Sequence, residues 1–160
     1  MQIDDQARVA TLFAAYLAAE YSWELDNAWY ALRIGHPALE LEAAFPEAAS
    51  FSLLSAWNPQ SVPRPDVVNR SEDQQLQLVL ESSGLQFRPA FAAATNRAWR
   101  EPSWIVVDLS LTGLDALAQR FGQLGTLLWR RGEPGRLRMY AAEPVRDPDY
   151  AVHDCVDWVK

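Results

Sequence analysis

The sequence predicts an α+β fold, a single domain over residues 1–160 with one central mixed β-sheet packed by about three to four helices. Three observations lead there. Apolar residues recur at three- and four-residue spacing in separate segments, which places them on one face of a helix. Short aromatic and β-branched runs end at glycine, proline or Asp-Asn, as strands do. No internal repeat and no linker divides the chain, so these stripes bury one another in one body. An α/β three-layer sandwich is the alternative arrangement of the same elements. The chain has 160 residues, 49% of them hydrophobic, enough for a core without a disulfide or a structural metal.

Residues 5–20 carry Val9, Leu12, Phe13, Tyr16 and Leu17 on one helical face, with Asp4 or Asp5 as cap. Tyr21–Leu25 and Trp29–Ile34 read as strands joined at Asp26-Asn27, and Gly35 and Pro37 stop the second. Ala38–Ala49 is a short helix that Pro46 breaks or ends. Phe51–Ala56 is a buried strand running into a loop with Pro59, Pro63 and Pro65. A third helix begins near Asn69 or Ser71 and stops at Gly84, with Leu76, Val79 and Leu80 inward. Leu85–Ala93 alternates as a half-buried strand, and Pro89 assigns it to an edge or a strand end.

Trp104–Leu109 reads as a core strand. Thr112 caps the next helix with Asp115 three residues on, and Gly122 ends it. Gly125–Arg130 and Arg136–Ala142 form a hairpin across Gly132-Glu133-Pro134-Gly135, and Val152–Val159 covers an edge. The connection from Phe51–Ala56 through the third helix is expected to be a parallel, right-handed crossover.

The formal net charge is -7. It resides in residues 1–80, which hold 11 acidic and 4 basic side chains, while residues 81–160 hold 10 of each. A negative half repels phosphate backbones, so nucleic-acid binding is disfavoured; Arg130, Arg131, Arg136 and Arg138 are the cluster that would have to support it. No basic segment precedes a long apolar one near residue 1, and no run approaches the roughly 20 apolar residues that span a bilayer. The expectation is a cytoplasmic protein without a membrane role. Cys155 is the sole cysteine, so no internal disulfide forms. His153 and Cys155 do not make a four-ligand zinc site, and no metal or cofactor is expected.

Four short motifs occur in order: Ser55-Ala56-Trp57-Asn58-Pro59; Asn69 ahead of Leu76 and Leu80; Trp99-Arg100-Glu101-Pro102-Ser103; and Phe121-Gly122-Gln123 after Leu117-Ala118. In that order and spacing the chain resembles a bacterial family known as domain of unknown function 3293, over about residues 10–140. The match falls on Asn58, Pro59, Asn69, Glu101, Phe121, Gly122 and Gln123, with Ser55 in place of the family's more usual threonine. The family's basic position in the first turn of the third helix is absent or displaced to Arg70, with Glu72 in its place. The family has no established activity, so the resemblance implies positions and not a reaction.

Asn58 ends a strand and Asn69 is expected to open the following helix, so both should flank one proline-rich loop at one end of the sheet. Together with the amides of Arg70–Glu72 they would line a cleft of the kind that takes ligands in open sheets. The plainer alternative makes Asn58 a turn residue and Asn69 a helix cap. Glu101, among Trp99, Pro102 and Trp104, is the candidate catalytic residue, a carboxyl whose apolar setting resists ionisation; a structural ion pair with Arg97, Arg100 or a distant arginine is the alternative. The candidate ligand-binding residues are Asn58, Asn69, Trp57, Trp99, Ser103 and Gln123. The leading function is a domain that binds a small polar ligand or a protein through the cleft between residues 57–71 and 96–103, with Gln123 at its floor. A small enzyme using Glu101 as general acid or base is the runner-up. Trp158 is either core or the anchor of a homodimer.

Overall fold

Hydrogen bonding along the chain produces one eight-stranded sheet, and the computed structural model describes it through residues 3–96, 99–145 and 154–160. The helices are α1 (Ile3–Ala18), α2 (Leu39–Ala44), α3 (Asp66–Ser83) and α4 (Leu111–Arg120). The strands are β1 (Glu20–Leu25), β2 (Ala28–Leu32), β3 (Ser50–Leu54), β4 (Phe87–Ala93), β5 (Arg100–Val107), β6 (Gly125–Arg130), β7 (Arg136–Met139) and β8 (Val156–Trp158). Their order is β2-β1-β4-β5-β3-β6-β7-β8. Among the described strands, β7 and β8 pair in parallel and the other neighbours antiparallel, so the sheet is mixed and the α+β expectation holds.

The period-two pleat of the strands sorts side chains onto two faces. Phe51, Leu53, Ile105, Val107, Leu127, Trp129, Leu137 and Met139 point toward α1 and α2, where Val9, Phe13 and Leu41 meet them. Their neighbours Leu54, Val106 and Leu128 point the other way, against Leu76 and Leu80 of α3 and Leu114 of α4. Trp158 packs on Phe13 with ring centroids 5.1 Å apart, so its indole serves the core. No helix among the described residues is long and apolar enough to cross a membrane.

Several expectations change in detail. The β1–β2 turn is as read: Asp26 and Asn27 both adopt positive φ, 51° and 65°, the geometry whose twist matches a two-residue hairpin. Strand β4, however, is interior. Pro89 is tolerated there because the ladder with β1 stops at Ala90, so no partner on that side asks for the missing N–H. The third helix starts at Asp66, earlier than expected, because Pro65 can only precede or open a helix and does so here. Ser110, not Thr112, caps α4, its hydroxyl accepting from the Gly113 amide at 3.0 Å, and Asp115 pairs with Arg138 instead of completing a capping box.

Strand β3 lies antiparallel to β5, which lies antiparallel to β4. The β3–α3–β4 connection therefore joins strands of like direction, but β5 sits between them. The β5–α4–β6 connection does the same with β3 between its ends. These two interleaved crossovers bring the end of β3 and the start of β5 together at one rim of the sheet. Residues 146–153, which include part of the Val152–Val159 segment and His153, lie outside the described residues.

Gly135 seals the β6–β7 hairpin against the segment after β2. Its amide donates to the His36 carbonyl at 3.0 Å, and a Cβ placed there would meet the Trp129 indole nitrogen at 2.1 Å. That indole itself donates to the His36 carbonyl at 3.1 Å and cannot move aside without losing the bond. Gly135→Ala is accordingly expected to destabilise the protein by about 2 kcal/mol, read from urea unfolding; an unchanged midpoint would mean the hairpin is not clamped this way.

Candidate functional site

Register explains why the sequence-distant motifs meet. Leu54 faces Trp104 in the β3–β5 ladder, so the antiparallel chains continue with Ala56 level with Pro102 and Trp57 level with Glu101. Ser55 holds them together beyond the ladder: its hydroxyl donates to the Pro102 carbonyl at 2.9 Å and accepts from the Trp57 amide at 2.9 Å. Asn58 then turns away with φ 43° and leads into a single 3-10 turn, Pro59–Ser61. Gln60 and Ser61 also have positive φ, 56° and 58°. For side chains other than glycine such backbone costs on the order of 1 kcal/mol each, and it persists only where surrounding contacts enforce it.

Those contacts come from the Phe121-Gly122-Gln123 motif and from α1. The Gly122 carbonyl accepts from the Gln60 amide at 2.8 Å and from its side chain at 3.0 Å. Gly122 lies so close to Pro59 that a Cβ would approach the proline ring to 2.9 Å, at a φ of 66°. The buried Gln123 donates through Nε2 to the Trp57 carbonyl at 3.0 Å. Arg8 of α1 donates to the Gln60 carbonyl.

Asn58 and Asn69 form the centre. Asn69 is only 1% exposed and lies inside the first turns of α3, not at its cap. Its Oδ1 accepts from the Asn58 backbone amide at 2.9 Å and from Arg64 Nε at 2.6 Å, and its Nδ2 donates to Asn58 Oδ1 at 2.8 Å. The Arg64 backbone amide donates to the same Asn58 oxygen at 3.2 Å. The Asn58 Nδ2 is left facing Glu101 and donates to Oε1 at 3.0 Å. A guanidinium or a backbone amide only donates, so both side-chain amides have one permitted orientation.

Glu101 belongs to the face of β5 that also carries Ile105 and Val107, toward α1. Burial pushes its carboxyl above the usual carboxylate range, and the Asn58 hydrogen bond opposes part of that rise. Among the described residues no arginine or lysine pairs with it. Arg100 instead stacks over Phe91 at 3.9 Å and Trp29 at 5.5 Å, and Arg97 lies outside the described residues.

Beside Glu101 opens a cavity of about 250 Å³. Its polar end is Glu101, Asn58 and Ser61, and its walls include Leu12, Tyr16, Tyr21, Pro63, Ala92 and Trp99. The Tyr16 hydroxyl lies 3.4 Å from Ser61 Oγ, and the Tyr21 hydroxyl donates to the Tyr16 carbonyl, which fixes the end of α1 over the site. Burial raises both phenols above their usual range, so they stay protonated.

Of the residues singled out by sequence, Asn58, Trp99 and Glu101 line the cavity. Asn69 and Gln123 stand behind it and hold the loop; Gln123 is therefore not its floor. Trp57 contributes its backbone and does not line the cavity, and Ser103 is 4% exposed with its hydroxyl directed to the Glu101 carbonyl at 3.3 Å. The amides of Arg70–Glu72 lie within α3 and do not face a cleft, since the helix begins at Asp66. Tyr16, Tyr21, Ser61 and Arg64 were not singled out. Arg64, between Pro63 and Pro65, was the loop's only cation, and that placement was a readable signal. The two tyrosines read as ordinary core positions.

The late arginines are largely engaged. Arg136 pairs with Asp157 at 2.8 Å, Arg138 with Asp115 at 2.7 Å, and Arg131 donates to the Ala48 and Phe45 carbonyls at 2.5 Å each. Among the described residues there is no group of three or more His, Cys, Asp or Glu side chains able to hold a metal, and His153 lies outside them.

An α+β domain with a half-buried carboxyl beside a cavity of about 250 Å³ is the class that fold and site define. Residues 54–125 match the model of DUF3293, a family described as protein of unknown function. This segment is narrower than the 10–140 span that the motifs suggested, yet it contains Asn58, Arg64, Asn69, Trp99, Glu101 and Gln123. Tyr16 and Tyr21, which complete the cavity, precede it. Comparison with the curated proteins and with the solved structures returns no match.

Two variants check this geometry. Asn69→Ala leaves the Asn58 amide and Arg64 Nε without their partner in a partly buried setting and is expected to cost about 2 kcal/mol in urea unfolding. A cost within the ±0.5 kcal/mol typical of surface changes would show the network to be dispensable. Because the folded-state affinity of Glu101 for its proton is raised, ionising it works against the fold. Its favourable effect is complete below the usual carboxylate range and is lost as pH rises through the folded value. Glu101→Gln should therefore melt higher than wild type at pH 7–8, with the gain shrinking toward pH 4; a pH-independent difference would contradict the assignment.

Proposed function

We propose that this domain binds a small molecule with an apolar, ring-sized body and a polar head, the head meeting Glu101 and Asn58. The observation that carries the reading is the meeting of a half-buried carboxyl and a fixed amide at the polar end of a mainly apolar cavity. Sites for small ligands combine apolar walls with a few placed polar groups in this manner. The strained backbone of Asn58, Gln60 and Ser61 supports it, because conformations of that cost cluster at ligand clamps. A cavity of about 150 Å³ already takes up benzene, so this one has room for a ring with a short substituent.

The second reading is an enzyme in which Glu101 transfers a proton, with Asn58, Asn69 and Gln123 as positioning groups. Its support is the raised proton affinity of Glu101, which suits an acid–base role. Glu101→Gln separates the two: a binder retains recognition of the ligand's body, whereas an enzyme loses turnover.

A fragment screen followed by two-dimensional amide NMR tests the reading. Ligands should shift the Asn58 side-chain amide and the Trp99 indole together. Ala15→Trp, at a helix position that lines the cavity with its side chain largely exposed, should weaken them at least tenfold without unfolding the protein. Hits that perturb only other surfaces, or that ignore Ala15→Trp, would overturn it.

A further inference from the structure

Resting on the small-molecule reading above, we infer that the ligand is a small organic cation, an amine whose protonated nitrogen docks on Glu101 while its ring lies among Tyr16, Tyr21 and Trp99. Asn58 Oδ1 is occupied by two donors, the Arg64 backbone amide and Asn69 Nδ2, so the Asn58 amide cannot turn its oxygen toward Glu101. What Glu101 receives from the protein is a donor, at 3.0 Å, and a carboxyl oxygen that is given a donor is held as an acceptor.

Glu101 lines the cavity and its carboxyl takes no other hydrogen bond among the described residues, so a ligand that donates supplies what the site lacks. A donor that also carries positive charge does more, because a half-buried carboxylate with one neutral partner is short of compensation. Charge-assisted hydrogen bonds are roughly twice as strong as neutral ones. The walls fit the same class, since two tyrosine rings and a tryptophan line the cavity and aromatic faces attract cations. A ligand carboxylate meets the opposite situation: it would face Glu101 without an intervening cation among the described residues.

The test uses three probes that share a phenyl ring on a two-carbon chain and end in different heads: 2-phenylethylamine, 2-phenylethanol and phenylacetate. Each is titrated at pH 7.5 into wild type, Glu101→Gln and Ala15→Trp, and read from the Asn58 side-chain amide and the Trp99 indole. The amine should bind wild type at least tenfold tighter than the alcohol, and phenylacetate should bind weakest. In Glu101→Gln the amine should fall to the alcohol's affinity while the alcohol changes little, and Ala15→Trp should weaken both. The net charge of -7 attracts any cation to the surface, and that attraction would survive Glu101→Gln; an amine preference that persists there overturns the inference. Equal binding of amine and alcohol, or tighter binding of phenylacetate, with sensitivity to Ala15→Trp, overturns the cation and leaves the cavity as a binding site. No saturable shift from any of the three would remove the cavity reading together with this one.

Discussion

Two asparagine side chains hold the rim of the sheet beside the cavity in place, and each is oriented by groups that can only donate. The Arg64 guanidinium and the Asn58 backbone amide fix Asn69, and Asn69 and the Arg64 backbone amide then fix Asn58. The consequence reaches Glu101 on another strand, which receives an N–H rather than a carbonyl. In a half-buried setting this difference sets which hydrogen-bonding groups Glu101 has left to satisfy. A half-satisfied version of the same network would cost more than an apolar substitute, so its members act as a unit.

The sheet makes the arrangement available. Interleaving of β3–α3–β4 with β5–α4–β6 sets β3 beside β5, and antiparallel register carries residues 57 and 58 past the ladder to Glu101. The cavity is closed from the other side by α1, whose Tyr16 edge lies 3.0 Å from where a Gly125 side chain would begin. Glycine at that strand position admits the ring. Gly122 does the same for Pro59, at a positive φ that suits glycine. Packing of the core and shape of the site are thus set by the same close approaches.

Much of this could be read from the chain. Helical stripes and aromatic runs mark the four helices and most strands of the described residues, because burial on one face imposes a period. The motif residues Asn58, Asn69, Glu101 and Gln123 do converge at one rim, as strand ends and loops in open sheets lead one to expect. What was not legible depends on distance through space. Asn69 read as a cap because nothing local says that Pro65 starts the helix four residues sooner. Pro89 read as an edge because the length of the β1 ladder is not encoded nearby. Gln123 and Asn69 could not be told apart from cavity-lining groups, since hydrogen-bond direction is a tertiary property. Tyr16 and Tyr21 hid within apolar patterns that serve core and cavity alike.

The chemistry of the rim depends on Asn58 presenting its NH₂ to a Glu101 carboxyl that ionises late. The direct measurement follows the Asn58 side-chain amide protons by NMR from pH 3 to pH 8. A single titration with a midpoint above the roughly 4.3 of a free glutamate, absent in Glu101→Gln, is the predicted result. Protons that stay unmoved across that range, or that titrate at or below the free value, would contradict it.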